Sequence, residues 1–214
     1  EKLLKDLVVT WRANWGNATM PFLVVQLPGF GKASERINTK QNWPWIRESQ
    51  KNIEDLDNCQ AICTIDSGMQ RDIHPPFKEN VGKRLAYAAH KMVYRLANAP
   101  QSPEYSAHTC KGESTQITFK YVGSGLRTGN ALLGDKFNSQ DDVLGFIVLD
   151  DKGNYQRASA QITAPNQVCL YHPGIFNPKS IRYGWENFPK VNFYGEAGMP
   201  VFPFRTDTFS AFNE

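Results

Sequence analysis

The fold of this chain is decided by the stretch AICTIDSGMQRDIHP, residues 61–75. It begins with a short apolar run, residues 61–65, which predicts a buried β-strand. In open α/β sheets, functional groups gather beyond the carboxyl ends of the strands. Asp72 and His74 fall in that place, and an acid beside a histidine forms one half of a hydrolase charge relay. We therefore expect Asp72 and His74 to carry the chemistry of the site.

Helices and strands alternate outward from this stretch. The run FLVVQL, residues 22–27, predicts a second strand that is apolar on both faces, as buried parallel strands are. Apolar residues at helical spacing predict three helices, over about residues 3–15, 44–56 and 79–98. This order of elements predicts an α/β layered domain.

The two predicted strands are too few for such a domain. A pair of apolar strands with three amphipathic helices cannot cover both faces of a sheet by itself. Because the chain opens at Glu1 directly into a helix, we expect the remaining strands to come from a preceding amino-terminal part.

The predicted third helix divides into two faces. The inward face is apolar and comprises Val81, Leu85, Ala88, Ala89, Met92 and Leu96. The outward face is basic and comprises Lys83, Arg84, Lys91 and Arg95. This division is typical of a helix that packs on a sheet and faces water on its other side.

The predicted elements change after residue 99, from alternating helices and strands to short strands. A polar, proline-rich linker, residues 98–103, predicts a boundary between an α/β domain over 1–99 and a β-rich domain over 100–214. The second part shows short alternating runs separated by turn residues, over 116–122, 143–149, 155–162 and 167–171. Such runs predict an antiparallel β-sandwich-like domain. We expect the final forty residues, rich in proline, glycine and aromatic residues, to pack back as ordered coil.

Composition excludes several classes of function. The 214 residues carry a formal net charge of only +3, with the basic residues spread along the chain, so neither a nucleic acid nor a membrane is expected as a partner. No apolar stretch approaches the length of a membrane span. The four cysteines lack the paired spacing of a metal site, and no metal is expected. An even cysteine count and the sequon at Asn17 hint at export.

Six elements in order carry a resemblance to a known family. They are residues 21–27, 45–50 (WIRESQ), 72–75 (DIHP), 81–86 (VGKRLA) after Lys78, 182–185 (RYGW) and 200–207 (PVFPFRTD). Together they resemble the carboxyl-terminal half of sialate O-acetylesterases, a branch of the SGNH (GDSL-like) hydrolases. The resemblance covers nearly the whole chain. It implies that residues 1–99 form the carboxyl-terminal half of an SGNH-type three-layer α/β/α hydrolase domain.

The resemblance also implies a chemistry. It implies removal of O-acetyl groups from sugars, typically sialic acids, by a nucleophilic serine without a metal or cofactor. In that family the serine lies in a motif near the amino terminus, which this chain does not contain. The preceding amino-terminal part is therefore an expected partner, with an O-acetylated sugar as substrate. His74 would be the general base and Asp72 its orienting acid.

Two points about the acid and the nucleophile stay open. The wider superfamily places its acid three residues before the histidine, where this chain has Arg71, so Asp66 is a possible substitute for Asp72. Ser67 lies close enough in sequence to suggest an independent hydrolase, although its surroundings lack the usual nucleophile motif. A different class of function is a non-catalytic fragment, or a module that binds carbohydrate or only docks.

Two further residues are candidates for substrate binding. Arg47, on the second helix, could pair with the carboxylate of an acidic sugar, or it could belong to a hydrogen-bonding pair with Gln50. Gln26, at the end of the first strand, could face the pocket or simply finish the strand.

Overall fold

The computed structural model describes residues 1–33, 36–38, 40–129 and 141–210. Its amino-terminal elements are α1 (Lys2–Asn14), β1 (Phe22–Val25), α2 (Asn42–Lys51), a 3-10 turn (Asn52–Asp55), β2 (Cys59–Ile62) and α3 (Lys78–Met92). The β-strands that follow are β3 (Glu104–Lys111), β4 (Ser114–Lys120), β5 (Arg127–Thr128), β6 (Phe146–Leu149), β7 (Tyr155–Arg157), β8 (Ser159–Ala164), β9 (Gln167–Tyr171), β10 (Ser180–Tyr183), β11 (Phe193–Tyr194) and β12 (Phe204–Arg205). A second 3-10 turn covers Glu196–Gly198.

The two predicted strands of the first part pair in parallel, in the register Phe22 to Cys59 and Val25 to Ile62. They form a two-stranded sheet within the described residues. The outer edge of β1 therefore has no strand beside it in this part of the chain. At its carboxyl end, Gln50 of α2 accepts from the Leu27 N–H at 2.9 Å.

The helix ends follow local backbone chemistry. Helix α1 ends at Asn14, and Gly16, just beyond it, has a φ of +63° that lets the Asn17 N–H reach back to the Arg12 carbonyl. Helix α3 ends at Met92, six residues before the predicted limit of Asn98. Three residues after Met92, Arg95 adopts a left-handed φ of +56°, which a continuing α-helix does not allow.

The β-rich part consists mainly of two four-stranded antiparallel sheets, in the orders β12-β10-β6-β7 and β3-β4-β9-β8. Inward residues of both sheets share one hydrophobic cluster that includes Ile117, Phe119, Val168, Phe146 and Ile181. The predicted run 155–162 is in fact two strands, since β7 pairs with β6 in one sheet and β8 pairs with β9 in the other. The structure is thus a mixed α/β chain with several antiparallel sheets.

The expectation of coil at the end of the chain is wrong for β10. This strand is buried at all four positions and pairs with both β6 and β12. Strand β10 could not be predicted from its sequence, because Arg182 interrupts the apolar pattern. The structure compensates that buried guanidinium with Asp207, at 2.8 Å from Nε to Oδ2.

The two parts are joined by contacts that extend from one core to the other. Phe202 belongs to the same hydrophobic cluster as Val8, Ile53 and Cys63 of the amino-terminal part. Arg205 forms a two-point ion pair with Glu48 of α2, at 2.8 and 3.0 Å. The division at residue 99 stays a prediction. In the described part of the chain, no helix combines the length and apolar character needed to cross a membrane.

Candidate active site

The segment that carries Asp72 and His74 starts at the carboxyl end of β2 and is fixed there by a close backbone contact. A Cβ atom on Gly68 would lie 1.8 Å from the carbonyl oxygen of Gly29, so only glycine allows the two loops to approach in this way. An isolated parallel bridge between Phe30 and Met69 also joins the two loops that follow β1 and β2. The start of the segment is therefore held in one place relative to the sheet.

A buried ion pair fixes the same point from the other side. Arg84 of α3 binds both carboxylate oxygens of Asp66, each at 2.7 Å, and also contacts the Cys63 carbonyl at 3.1 Å. Both side chains are 3% exposed. The prediction that Arg84 faces outward is therefore wrong, because the helix turns this residue toward the end of β2. The charge of Asp66 raises the pKa of Arg84, although burial acts in the opposite direction.

This pairing bears on the two open alternatives for the acid and the nucleophile. Both oxygens of Asp66 accept from Arg84, so the carboxylate is committed to a buried ion pair with α3 and not to a histidine among the described contacts. Ser67 is buried, and its hydroxyl donates to Asp66 at 3.1 Å while accepting from Arg84 at 3.3 Å. The geometry gives both residues a structural part in anchoring the segment.

Asp72 and His74 lie beyond the anchored start, on the surface. The Asp72 carboxylate accepts the backbone N–H of His74 at 2.8 Å, and its Oδ1 lies 3.7 Å from His74 Nδ1. The side chains are 55% and 89% exposed, respectively. Within the described residues, His74 Nε2 has no hydrogen-bond partner. Pro75, directly after the histidine, is buried and anchors the segment again.

This arrangement can orient an imidazole but cannot perform acyl transfer alone. A carboxylate near Nδ1 can select the tautomer that leaves Nε2 free to accept a proton. The 3.7 Å separation is longer than a hydrogen bond, and such contacts often shorten when substrate and partner groups are in place. A nucleophile supplied to the open side of His74 would complete the relay.

Arg47 lies inside the protein and not in an open pocket. Its guanidinium is fully buried and donates to four backbone carbonyls, those of Leu27, Pro28, Glu186 and Asn187, at 2.7–3.0 Å. Burial lowers its pKa to about 10, so it remains charged at neutral pH. Arg47 thus fastens the loop after β1 to residues 186–187. The role in substrate binding stays a prediction, without a solvent-facing donor in this geometry.

Gln26 is also buried, at the end of β1. Its amide nitrogen donates to the Arg47 carbonyl at 2.8 Å, and its Oε1 has no partner among the described residues. Its backbone carbonyl accepts from the Thr64 hydroxyl at 2.6 Å. These contacts finish the strand, and a contact of Gln26 with substrate stays a prediction.

The remaining polar and sulfur groups have structural surroundings. His172 is buried between the Thr115 hydroxyl at 2.9 Å and the Ile175 carbonyl at 2.8 Å. All four cysteines are free thiols, and burial raises the pKa of Cys63 to about 12, which keeps it protonated. Across the residues with described positions, no group of three His, Cys, Asp or Glu side chains could hold a metal ion.

The residue that the sequence reasoning missed is Arg84. Its basic character placed it on the outer face of the predicted helix, next to Lys83. A signal was nonetheless present, since Asp66 directly follows an apolar strand and a buried carboxylate needs a cation. By contrast, the RTD sequence at residues 205–207 by itself suggests an internal ion pair, and Arg205 and Asp207 form one at 2.8 Å.

The chain is similar in structure and sequence to one part of a carbohydrate acetylesterase from Xanthomonas citri. The TM-score is 0.83 and the sequence identity 32%, over 96% of this chain. The chain spans 45% of the length of that esterase. Neither a protein-family model nor a curated protein matches the sequence.

Proposed function

We propose that this chain is the carboxyl-terminal part of a carbohydrate O-acetylesterase of the SGNH type, with sialic acid esters as its substrates. His74 is the general base and Asp72 its orienting acid. The nucleophilic serine comes from an amino-terminal part of the same protein. The observation that carries the proposal is the exposed Asp72–His74 pair at the carboxyl end of β2, in a chain similar to 45% of a carbohydrate acetylesterase.

The open edge of β1 supports a missing amino-terminal part. The strand pairs only with β2 in the described residues, although its composition is that of a strand buried on both sides. Close to it, α1 presents a stripe of exposed apolar side chains at four-residue spacing: Leu3, Leu7, Trp11 and Trp15. The Trp11 ring lies 6.0 Å from the ring of Phe22 on β1. Another segment beside β1 would cover both the strand edge and the stripe.

The proposed mechanism divides the work between the two parts. The serine hydroxyl approaches His74 Nε2, which takes its proton during attack on the acetyl carbonyl. The imidazolium is stabilised by Asp72 and gives the proton to the sugar oxygen as its bond to the acetyl carbon breaks, which releases the sugar hydroxyl. Donors for the oxyanion come from the amino-terminal part, where such groups commonly contribute about 3–4 kcal/mol each. Water then hydrolyses the acetyl-enzyme with His74 acting again as base.

Fluorophosphonate labelling of the purified protein tests this proposal. Intact mass and a denaturing gel after labelling will show which polypeptide carries the reactive serine. We expect the label on an amino-terminal part and not on this chain. His74→Ala should lower labelling and the hydrolysis of acetylated sialic acid by about 10²–10⁴-fold. Asp72→Asn should act in the same direction with a smaller effect.

The matched control is His90→Ala, since His90 is an exposed histidine on α3 outside the segment. It should leave labelling unchanged. Label on Ser67 of this chain would contradict the two-part mechanism. Absence of label on any polypeptide would favour the other class of function, a non-catalytic or carbohydrate-binding fragment. Equal hydrolysis of acetylated xylan and acetylated sialic acid would remove the proposed specificity.

A further inference from the structure

A cleft lies beside β2, and its lining includes residues of β2 but none of β1. It has a volume of about 340 Å³ and is bounded by β2, α3 and the connection at residues 100–102. We call it the β2-edge cleft and define it by Gln60, Lys91, Gln101, Ser102 and Tyr121. Its volume falls at the small end of the range for sites that bind small molecules, about 300–1,000 Å³. None of its lining residues belongs to the segment 66–78.

Apart from the Arg84–Asp66 pair, three lysines and two glutamates surround the cleft, so one positive charge is in excess. They are Lys51, Lys91, Lys120, Glu54 and Glu104. Lys51 pairs with both Glu54 and Glu104, and Lys120 also pairs with Glu104, at 2.8 Å. Two carboxylates are thus shared by two lysines. Burial raises the pKa of Glu104, but its two lysine partners outweigh that effect and hold the pKa below its usual value. Glu104 therefore stays charged and satisfied at neutral pH.

Lys91 is the third lysine of the cleft and has no such partner. Its ammonium group donates to the Gln101 side-chain carbonyl and lies 5.0 Å from the centroid of the Tyr121 ring. Within the described chain, no carboxylate lies within 4.0 Å of it. Burial lowers the pKa of Lys91, and the charges of Glu104 and Glu54, which also line the cleft, act in the opposite direction without reversing it. An anionic group in the cleft would therefore gain a partly desolvated cation as its partner.

The wall of the cleft also carries an aromatic ring and several polar groups that could bind a ligand with several oxygen atoms. Ser102 is buried, and its hydroxyl has no hydrogen-bond partner among the residues described. Ser102 is one of the residues that line the cleft. Tyr121 is half-exposed and holds a left-handed φ of +61°, a strained conformation for an aromatic residue. The amides of Gln60 and Gln101 add both donors and acceptors to the same wall.

We propose that the β2-edge cleft binds the carboxylate of a single acidic sugar residue, with Lys91 as the ion-pair partner. Ser102, Gln60 and Gln101 bind the ring hydroxyls, and Tyr121 packs against the ring. Acetate has the same charge but would leave most of the cleft empty. The choice of a sugar over other carboxylates rests on the proposed esterase function, whereas the anion preference rests on the cleft alone.

Calorimetric titration of the purified protein with glucuronate, glucose and acetate tests the proposal. We expect saturable binding of glucuronate, at least tenfold weaker binding of acetate and no measurable binding of glucose. Lys91→Gln should weaken glucuronate binding at least tenfold, and Lys91→Arg should restore most of it. Ser102→Ala should weaken binding by a smaller factor. Circular dichroism will establish that each variant is folded.

The matched control is Lys83→Gln, because Lys83 lies on the solvent face of the same helix. It should bind glucuronate as the unaltered protein does. Equal binding of acetate and glucuronate would overturn the sugar assignment, and equal binding of glucose would overturn the anion assignment. Binding that survives Lys91→Gln, or no binding of any ligand, would overturn the site. None of these titrations needs the nucleophilic serine, so their failure is distinguishable from a failure of the labelling experiment.

Discussion

The two parts of this molecule bury their apolar residues to very different degrees. In the β-rich part, two four-stranded sheets enclose a shared cluster in which most of the members are almost fully buried. In the amino-terminal part, the sheet has two strands, and Leu3, Val9, Trp11 and Trp15 of α1 remain exposed. A stable sheet normally needs three or more strands or a covering layer. The comparison indicates that the amino-terminal part is held together by specific polar and glycine contacts more than by the size of its core.

Those contacts concentrate at the carboxyl ends of β1 and β2. The Asp66–Arg84 pair, the Gly29–Gly68 contact and the four carbonyl contacts of Arg47 all lie there. The same end carries the Asp72–His74 segment. Precise polar anchoring is therefore found where the proposed chemistry needs a fixed backbone.

The largest effect is expected from breaking the Asp66–Arg84 pair. Arg84→Met leaves a buried carboxylate without its cation, which typically costs about 3–5 kcal/mol. The loss should appear in the free energy of unfolding measured with urea. It should also reduce the fluorophosphonate labelling expected of the proposed two-part esterase, because the segment carrying His74 loses its anchor.

The control for this prediction is Lys83→Met, one residue earlier on the same helix. Lys83 pairs with Glu79 on the surface and should be replaceable with little change in the free energy of unfolding. A double variant, Asp66→Asn with Arg84→Met, removes both charges and should recover part of the loss. Equal stability of Arg84→Met and Lys83→Met would show that the pair does not stabilise the amino-terminal part.

In the β-rich part, the comparable loss should come from a cavity and not from a charge. Leu170 of β9 is fully buried in the shared cluster of the two sheets. Leu170→Ala should lower the free energy of unfolding by about 2–5 kcal/mol. Tyr171→Ala, at the exposed neighbouring position of the same strand, should cost much less. A similar loss for both would contradict the difference between the two faces of β9.

Some strands of the fold could be predicted from the sequence, and others could not. The parallel pairing of the strands near Phe22 and Ala61 was predicted, because continuous apolar runs are typical of buried parallel strands. Strands β10 and β3 were not predicted. Strand β10 contains Arg182, and β3 is mostly exposed and polar, so neither shows an apolar pattern. Partners distant in sequence, such as Asp207 for Arg182, decide these cases and cannot be read from a local window.

The same limit applied to the candidate site. The position of Asp72 and His74 beyond β2 followed from the order of strand, loop and helix. The burial of Arg47 did not, since its four carbonyl partners come from two segments far apart in the chain. A helical pattern indicates which face a side chain occupies, but not what that face meets. For Arg84 even the predicted face was wrong, because the structure buries its side chain against Asp66.

A pH-dependent effect should test Asp207, which pairs within the β-rich part with Arg205, the residue that also reaches Glu48 of α2. Burial raises the pKa of Asp207, but hydrogen bonds from Arg182, Ser180 and Arg205 outweigh it and lower the pKa to about 2 from an ordinary value of 3.8. The stability that this carboxylate contributes is therefore present above about pH 4 and is lost as the pH falls through 2. Asp207→Asn removes this titration. The stability gap between the two proteins should narrow by about 2 kcal/mol between pH 5 and pH 2.

The measurement is urea unfolding at a series of pH values between 2 and 6. Asp151→Asn is the control, since Asp151 is an exposed turn residue. Its gap to the unaltered protein should stay constant over the same range. If the difference in free energy of unfolding between Asp207→Asn and the unaltered protein also stays constant, the carboxylate does not hold its lowered pKa. The contacts between the two parts would then depend on Phe202 and the Arg205–Glu48 pair.

The smallest effect is expected at Trp15, and it bears most directly on the comparison of the two parts. Trp15 is 77% exposed at the end of α1, whereas Trp185 is 2% exposed. In this chain alone, Trp15→Ser should change the free energy of unfolding by no more than about 0.5 kcal/mol, and Trp185→Ser should cost several times as much. In the parent protein, an amino-terminal part that covers the stripe of α1 would make Trp15→Ser cost about 1.5–3 kcal/mol, the usual value of burying a large apolar side chain. An equally small cost in both would contradict the proposal that an amino-terminal part covers the stripe of α1.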